Sequence, residues 1–432
     1  MKFVFKVTII FLIVFNFRLP TVYNSVFVAV GLTAVYYFLQ RRTIPFTYFN
    51  KSYVVMLIVA SFLMCAVVLL VMVLHDQYSN VILIKRFVLQ LFMICSMFFA
   101  YPILIEDDSR AFEDAAAIIC WAFAAQGVIH LAGFLYEPFG NYIFEMKGPG
   151  FEEFMNQPGN HIERFRGYAL CGSIFMELPS AYGAASIMFF RLMLMEDRKQ
   201  LVGWTRFFVI FFIIVGIMLS GRTGFIGVGI GIGYYLIFMP KSSQVWMNIL
   251  KVSMAYGVVL FAFYFLLSEK QKNSLTNEVF PFAFEAYYNW KTDGHFHTSS
   301  SDALMEGHYY SLRTDTYLMG QGVDTALSSY KGTDAGYINA IVFGGIFYLL
   351  ALAIFQYLFF ARSLGISASY RHVREGNDDF WCFLLLFIYL FIIEYKGAAL
   401  GTQHLTEVMF AFLCLAYLER YYYRLDYLQE GY

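Results

Sequence analysis

The chain has 432 residues, of which 59% are hydrophobic and only 14% charged, with a net charge of −1. A water-soluble domain carries about 25% charged residues, so this composition, with a mean hydropathy of +0.59, excludes an ordinary soluble fold. It also leaves no basic field for nucleic acid, and Cys65, Cys95, Cys120, Cys171, Cys382 and Cys414 form no Cys-x-x-Cys pair that would suggest a disulfide framework or thiolate metal site.

Apolar runs near 20 residues broken by short polar segments predict an all-α polytopic integral membrane protein. About 12 transmembrane helices are expected, at 3–18, 20–39, 52–74, 82–104, 112–136, 177–195, 202–220, 222–239, 247–267, 336–361, 380–395 and 402–419. The first resembles a signal peptide (Lys2 and Lys6, then an apolar run to Phe17), but no small-residue cleavage site follows and it reads as an uncleaved helix. Lys2, Lys6, Arg41, Arg42, Lys51, Arg110, Arg198, Lys199, Lys241, Arg362, Arg371, Arg374, Arg420 and Arg424 then fall on one side. The positive-inside rule makes that side, and both termini, cytoplasmic. The whole chain reads as a single transmembrane helical domain, 1–432, with two large loops on the outer side at 137–178 and 268–335.

Between the seventh and eighth spans lies Ser220-Gly221-Arg222-Thr223-Gly224, followed by Gly227, Gly229, Gly231 and Gly233, which predict close helix approach. An arginine at membrane depth is costly and marks a functional site. Other outer cations are Lys85, Arg86, Arg164, Arg166 and Arg313. The planar fork of arginine suits paired phosphate oxygens, and convergence of several would seat a diphosphate. Taken singly, each has an ordinary alternative: Lys85 and Arg86 reach to headgroups, and the others pair with Glu152, Glu153, Glu163 or Asp315. The aromatics Phe280, Phe282, Phe284, Tyr287, Tyr288 and Trp290 of the second loop either anchor a short interfacial helix from Pro281 onward or stack on sugar rings.

Residues 319–346 read MGQGVDTALSSYKGTDAGYINAIVFGGI. The Gly-x-Gly turn, the Thr-Asp-Ala-Gly-Tyr entry into a span and the Gly344-Gly345 run combine with Ser301-Asp302-Ala303-Leu304-Met305 and Ser-Gly-Arg-Thr-Gly. Together they resemble the Wzy-type polysaccharide repeat-unit polymerases, in topology and short motifs across most of the chain. The resemblance implies a glycosyltransferase of the bacterial cytoplasmic (inner) membrane with its active site facing the periplasm. It implies polymerisation of undecaprenyl-diphosphate-linked oligosaccharide repeat units into O-antigen, capsular polysaccharide or exopolysaccharide. It requires no metal or cofactor, and its partners are the lipid-linked glycan, the bilayer and a chain-length regulator.

That reaction calls for a general base on a sugar hydroxyl and cations beside a diphosphate leaving group. The candidate bases are Asp334, then His308, then Glu163; Asp334 is equally placed to cap the following helix. The candidate diphosphate and glycan contacts are Arg222, Arg164, Arg166, Arg313, Lys85, Arg86 and Tyr337. By residue type His295, His297 and Asp302 could hold a metal, against the commoner reading of solvated loop side chains. The acidic residues from Glu106 to Asp114 read as a solvated cytoplasmic turn, Glu394 with Lys396 as a bundle pair, His404 and Glu407 as cavity residues, and His130 as a hydrogen-bonded side chain. The alternatives are an O-antigen ligase, in which a His stands where this chain has Asp334, and a flippase or secondary transporter, which predicts related halves.

Overall fold

An apolar run shielded from water must satisfy its backbone polar groups within itself, and it does so as a helix. In a computed structural model of the protein, residues 2–19, 24–40, 49, 51–78, 81–147, 161–172, 176–195, 203–239, 264–265, 267–309, 311–323, 333 and 335–430 are described, the side chains of 82, 161–164, 308, 374–375 and 426–430 excepted. Among them all regular structure is helical. In chain order the helices are α1 (Lys2–Phe15), α2 (Ser25–Leu39), α3 (Ser52–Leu74), α4 (Val81–Leu104), α5 (Ala111–Leu135), α6 (Glu137–Glu145), α7 (Glu177–Leu194), α8 (Trp204–Ser220) and α9 (Gly224–Phe238). Then come α10 (Glu269–Ser274), α11 (Phe280–Ala283), α12 (Glu285–Asp293), α13 (Ser299–Ala303), α14 (Thr314–Met319), α15 (Gly336–Ser369), α16 (Arg374–Lys396) and α17 (His404–Glu430).

Five stretches among the described residues are long and apolar enough to cross a membrane: Ser52–Leu74, Leu83–Leu104, Asp108–Leu135, Gly336–Ser369 and Gly376–Lys396. The protein is therefore a helical, membrane-embedded one. Helices occupy all the expected spans but the ninth, most of which lies outside the described residues. The two expected loops contain short helices, α6 with a 3-10 turn at His161–Tyr168 in the first, and α10 to α14 in the second.

The helices form two compact units. The first comprises Met1–Asn16, Thr21–Ile118 and Thr298–Tyr432. Its centre is α17, whose residues from Leu405 to Leu418 are all buried, and which packs on α4 and α15. At the far end of α17, Arg420 donates to Glu113 at 2.5 Å and to Asp379 at 2.8 Å, with its guanidinium beside the Phe112 and Tyr417 rings. Glu113 therefore departs from the solvated turn expected for it: it is buried, because a buried arginine needs counter-charges. The same unit holds a break in α15, where Gly344 and Gly345 leave helical geometry and Gly345 has φ of 70°. The carbonyls freed there are taken by the Gly-x-Gly turn, as Gln321 N–H donates to Val342 O at 2.7 Å and Gly322 N–H to Phe343 O at 2.8 Å.

The second unit comprises Phe17–Pro20 and Ile119–His297. Its tightest contact is α7 against α9. A Cβ on Gly227 would lie 2.4 Å from the Gly183 backbone, one on Gly224 2.8 Å from Pro179 O, and one on Gly231 2.5 Å from the Phe190 ring. Gly229 and Gly233 meet nothing within 4 Å. The expectation that all four glycines pack is thus corrected: a helix presents positions four apart to one neighbour, so Gly227 and Gly231 face α7 and the alternate two do not. The loop helices are tied to each other, since Lys270 pairs with Glu137 at 2.6 Å and Gln271 Nε2 donates to Leu135 O at 2.6 Å.

Candidate functional site

The second unit concentrates cations around one aromatic ring. Phe282 sits on α11 and joins a cluster of Phe165, Leu219 and Val279, with Leu131, Tyr168 and Val215 packed against it. The guanidinium of Arg166 lies 5.2 Å from the Phe282 centroid and that of Arg222 lies 4.8 Å from it. Each arginine is held from a different element. Helix α8 ends at Ser220 because Gly221 turns the chain away, which leaves the Ser220 carbonyl outside the helical ladder. Arg166, from the 3-10 turn, donates its Nε to that carbonyl at 2.9 Å. Arg222 occupies the turn between α8 and α9 and forms an ion pair with Glu285, the first residue of α12. The sides of this pair are mostly shielded, at 15% and 21% side-chain exposure, so water screens them less than a surface pair.

Two guanidiniums on one ring make an arrangement suited to oxyanions. The aromatic face offsets part of the like-charge repulsion, and a planar guanidinium fork is a donor suited to paired oxygens.

The remaining expected contacts divide between the units. In the first, Lys85 is exposed, whereas Arg86 lines a cavity of about 30 Å³ with Asn339, Glu394 and Thr402. Arg313 forms an exposed pair with Asp315 at 2.9 Å. Tyr337 donates its hydroxyl to Phe391 O at 2.8 Å and so ties the start of α15 to α16. Asp334 lies outside the described residues, as do the side chains of Arg164, Glu163 and His308. The backbones of Glu163 and Arg164 lie in the 3-10 turn, and His308 closes a π-turn at Leu304–His308. The N-cap position of α15 is Ala335, whose own N–H donates to Thr333 Oγ1 at 3.1 Å.

Glu394 departs from the pairing expected with Lys396. Its Oε2 accepts the N–H groups of Ala399 at 2.5 Å and Leu400 at 2.7 Å, while Oε1 would be 2.5 Å from a Cβ on Gly336. The short segment after α16 offers two amides in the right place, and a carboxylate satisfied by backbone donors tolerates burial. Of the expected cavity pair, Glu407 accepts from Gln356 at 3.4 Å, and neither it nor His404 lines the Glu394 cavity. His130 bonds through Nε2 to Phe165 O at 2.9 Å. His297 meets Asp293 at 3.4 Å, and among the described residues no group of three His, Cys, Asp or Glu side chains is placed to hold a metal.

Sequence reasoning missed Phe282 and Glu285 as members of the arginine site. The available signal was composition: an aromatic and an acid three residues apart, inside a loop expected on the same side as the arginines. No protein-family model matches this chain, and a search of curated proteins finds no significant relative.

Proposed function

We propose that the protein polymerises lipid-linked oligosaccharide repeat units at the outer face of a bacterial cytoplasmic membrane. The observation that carries this reading is the pairing of Arg166 and Arg222 on the single ring of Phe282. It supplies what a diphosphate leaving group requires, fixed positive charge in a partly shielded setting.

In the reaction, a hydroxyl oxygen of the incoming lipid-linked unit attacks the anomeric carbon of the growing glycan. The bond from that carbon to the carrier diphosphate breaks, and its electron pair stays on the diphosphate oxygen. Arg166 and Arg222 take up the charge that develops there. The hydroxyl proton passes to a general base, for which Asp334, His308 and Glu163 are the candidates by residue type. The five apolar stretches long enough to span a bilayer support a membrane setting, and the charge pattern of the sequence supports about twelve spans with both termini cytoplasmic.

The test is to incubate the purified protein in detergent with its host's undecaprenyl-diphosphate-linked repeat unit. A ladder of added repeats is expected. No ladder, with transfer only to a lipid A–core acceptor, overturns polymerisation in favour of ligation. No transfer to either, with movement of the lipid-linked unit across liposomes, makes the protein a transporter.

A further inference from the structure

Glu285 and Phe282 approach the arginines from the same segment, yet the structure holds them differently. Phe282 belongs to a buried cluster, and its neighbours Val279 and Ala283 are 0% and 6% exposed. Between Phe282 and Glu285 the helix breaks: Phe284 has φ of −115° and ψ of 28°, which ends α11 and starts α12. Beyond that break α12 has no buried residue. Tyr287, Tyr288 and Trp290 are 54%, 40% and 45% exposed, and the helix stops at Gly294 in the left-handed region, with φ of 77°.

The site thus has a fixed part and a loosely held part. Arg166, Arg222, Phe282 and the Ser220 carbonyl are built on packed elements. Glu285 is the first residue of a helix none of whose residues is buried. Regions with few buried contacts open at low free-energy cost.

We propose that Glu285 is a displaceable internal counterion, holding Arg222 until the diphosphate of the substrate replaces it and α12 moves away. This rests on the diphosphate reading of the arginine site and adds to it a competing anion supplied by the chain. A phosphate-class ligand carries more charge than one carboxylate and reaches both guanidiniums, so it wins the exchange once bound. In its absence the pair keeps two like charges near one ring from remaining uncompensated.

The experiment uses the full-length protein in detergent with inorganic pyrophosphate as the probe. Glu285→Gln removes the competing charge and is expected to bind pyrophosphate at least about threefold more tightly than the wild type. Weaker or unchanged binding overturns the exchange and makes Glu285 a residue that positions Arg222. In the wild type, pyrophosphate is expected to accelerate amide exchange across Glu285–Asp293 while leaving Phe280–Ala283 unchanged. Protection or no change across α12 overturns the proposal even if the variant fails to fold. Absence of pyrophosphate binding in both proteins removes the seat itself, and with it the diphosphate reading. Binding that Glu285→Gln leaves unaltered removes only the exchange.

Discussion

The N–H of Gln321 donates to the carbonyl of Val342 across 2.7 Å, joining the Gly-x-Gly turn to the broken middle of α15. A helix interrupted at two residues leaves carbonyls that a membrane interior cannot hydrate. Gln321 and Gly322 supply the missing donors, and His75 holds the same turn through Met319 O at 3.0 Å.

This arrangement makes Gly345 intolerant of a side chain. Its φ is 70°, and a Cβ would lie 2.1 Å from Leu318 O. Gly345→Ala is expected to cost about 1–3 kcal/mol from backbone strain alone, plus the loss of the docked turn. A drop in melting temperature in detergent, with proteolysis between α14 and α15, checks it.

The glycines of α9 separate into two classes under the same substitution. Gly227→Ala forces α7 and α9 apart and is expected to destabilise. Gly229→Ala meets open space and, by reducing unfolded-state freedom, is expected to be neutral or to stabilise by up to about 1 kcal/mol. Thermal melts of the two variants, measured side by side, test the assignment of helix faces.

Among the outer cations, the arginines on Phe282 are expected to matter most. Arg166→Gln and Arg222→Gln each remove a guanidinium from the shared ring and should lower polymer yield by at least about tenfold, in line with loss of a transition-state donor. Arg313→Gln removes an exposed pair with Asp315 and should leave yield within about twofold. Equal effects at all three positions, in inserted and folded protein, would remove the functional distinction.

Arg420 tests the buried charge network of the first unit. Arg420→Met strands Glu113 and Asp379 away from water, at an expected cost of about 3–5 kcal/mol. The triple variant Arg420→Met, Glu113→Leu, Asp379→Leu removes all three charges and is expected to recover most of that loss. The recovery is read from thermal melts.

Lys147 gives a pH signature. Burial lowers its ammonium to about 8, and its Nζ donates to Cys171 O at 2.7 Å. The unfolded chain holds the proton up to the usual lysine range, so between about pH 8 and that range the unfolded state binds more protons. Stability should therefore rise with pH across this window, and Lys147→Met should flatten the rise. Melting temperatures from pH 7.5 to 10 provide the measurement.

The helices were legible because apolar run length is a local property. The stretches expected at 52–74 and 177–195 coincide with Ser52–Leu74 and Glu177–Leu194 almost to the residue. Arg222 stood out for a related reason, as a charge between two apolar runs. The break in α15 was visible only as two motifs, a Gly-x-Gly and a Gly-Gly, with nothing to say that one completes the hydrogen bonds of the other. Glu113 read as solvated because its neighbours in sequence are acidic, whereas its neighbour in space is Arg420, 307 residues away.

By itself, then, the sequence determined that this is a helical membrane protein and where its long apolar helices lie, though not the short helices of the two loops, since the cost of leaving backbone groups unpaired in an apolar setting acts along the chain. Only the tertiary structure decided which charges meet. Arg166, Arg222, Phe282 and Glu285 come from four separate elements, and neither the sharing of one ring nor the ion pair is encoded in the spacing of those elements. The reason is physical: hydrogen bonds and ion pairs act over a few ångströms, and packing sets those distances between residues that the chain keeps far apart.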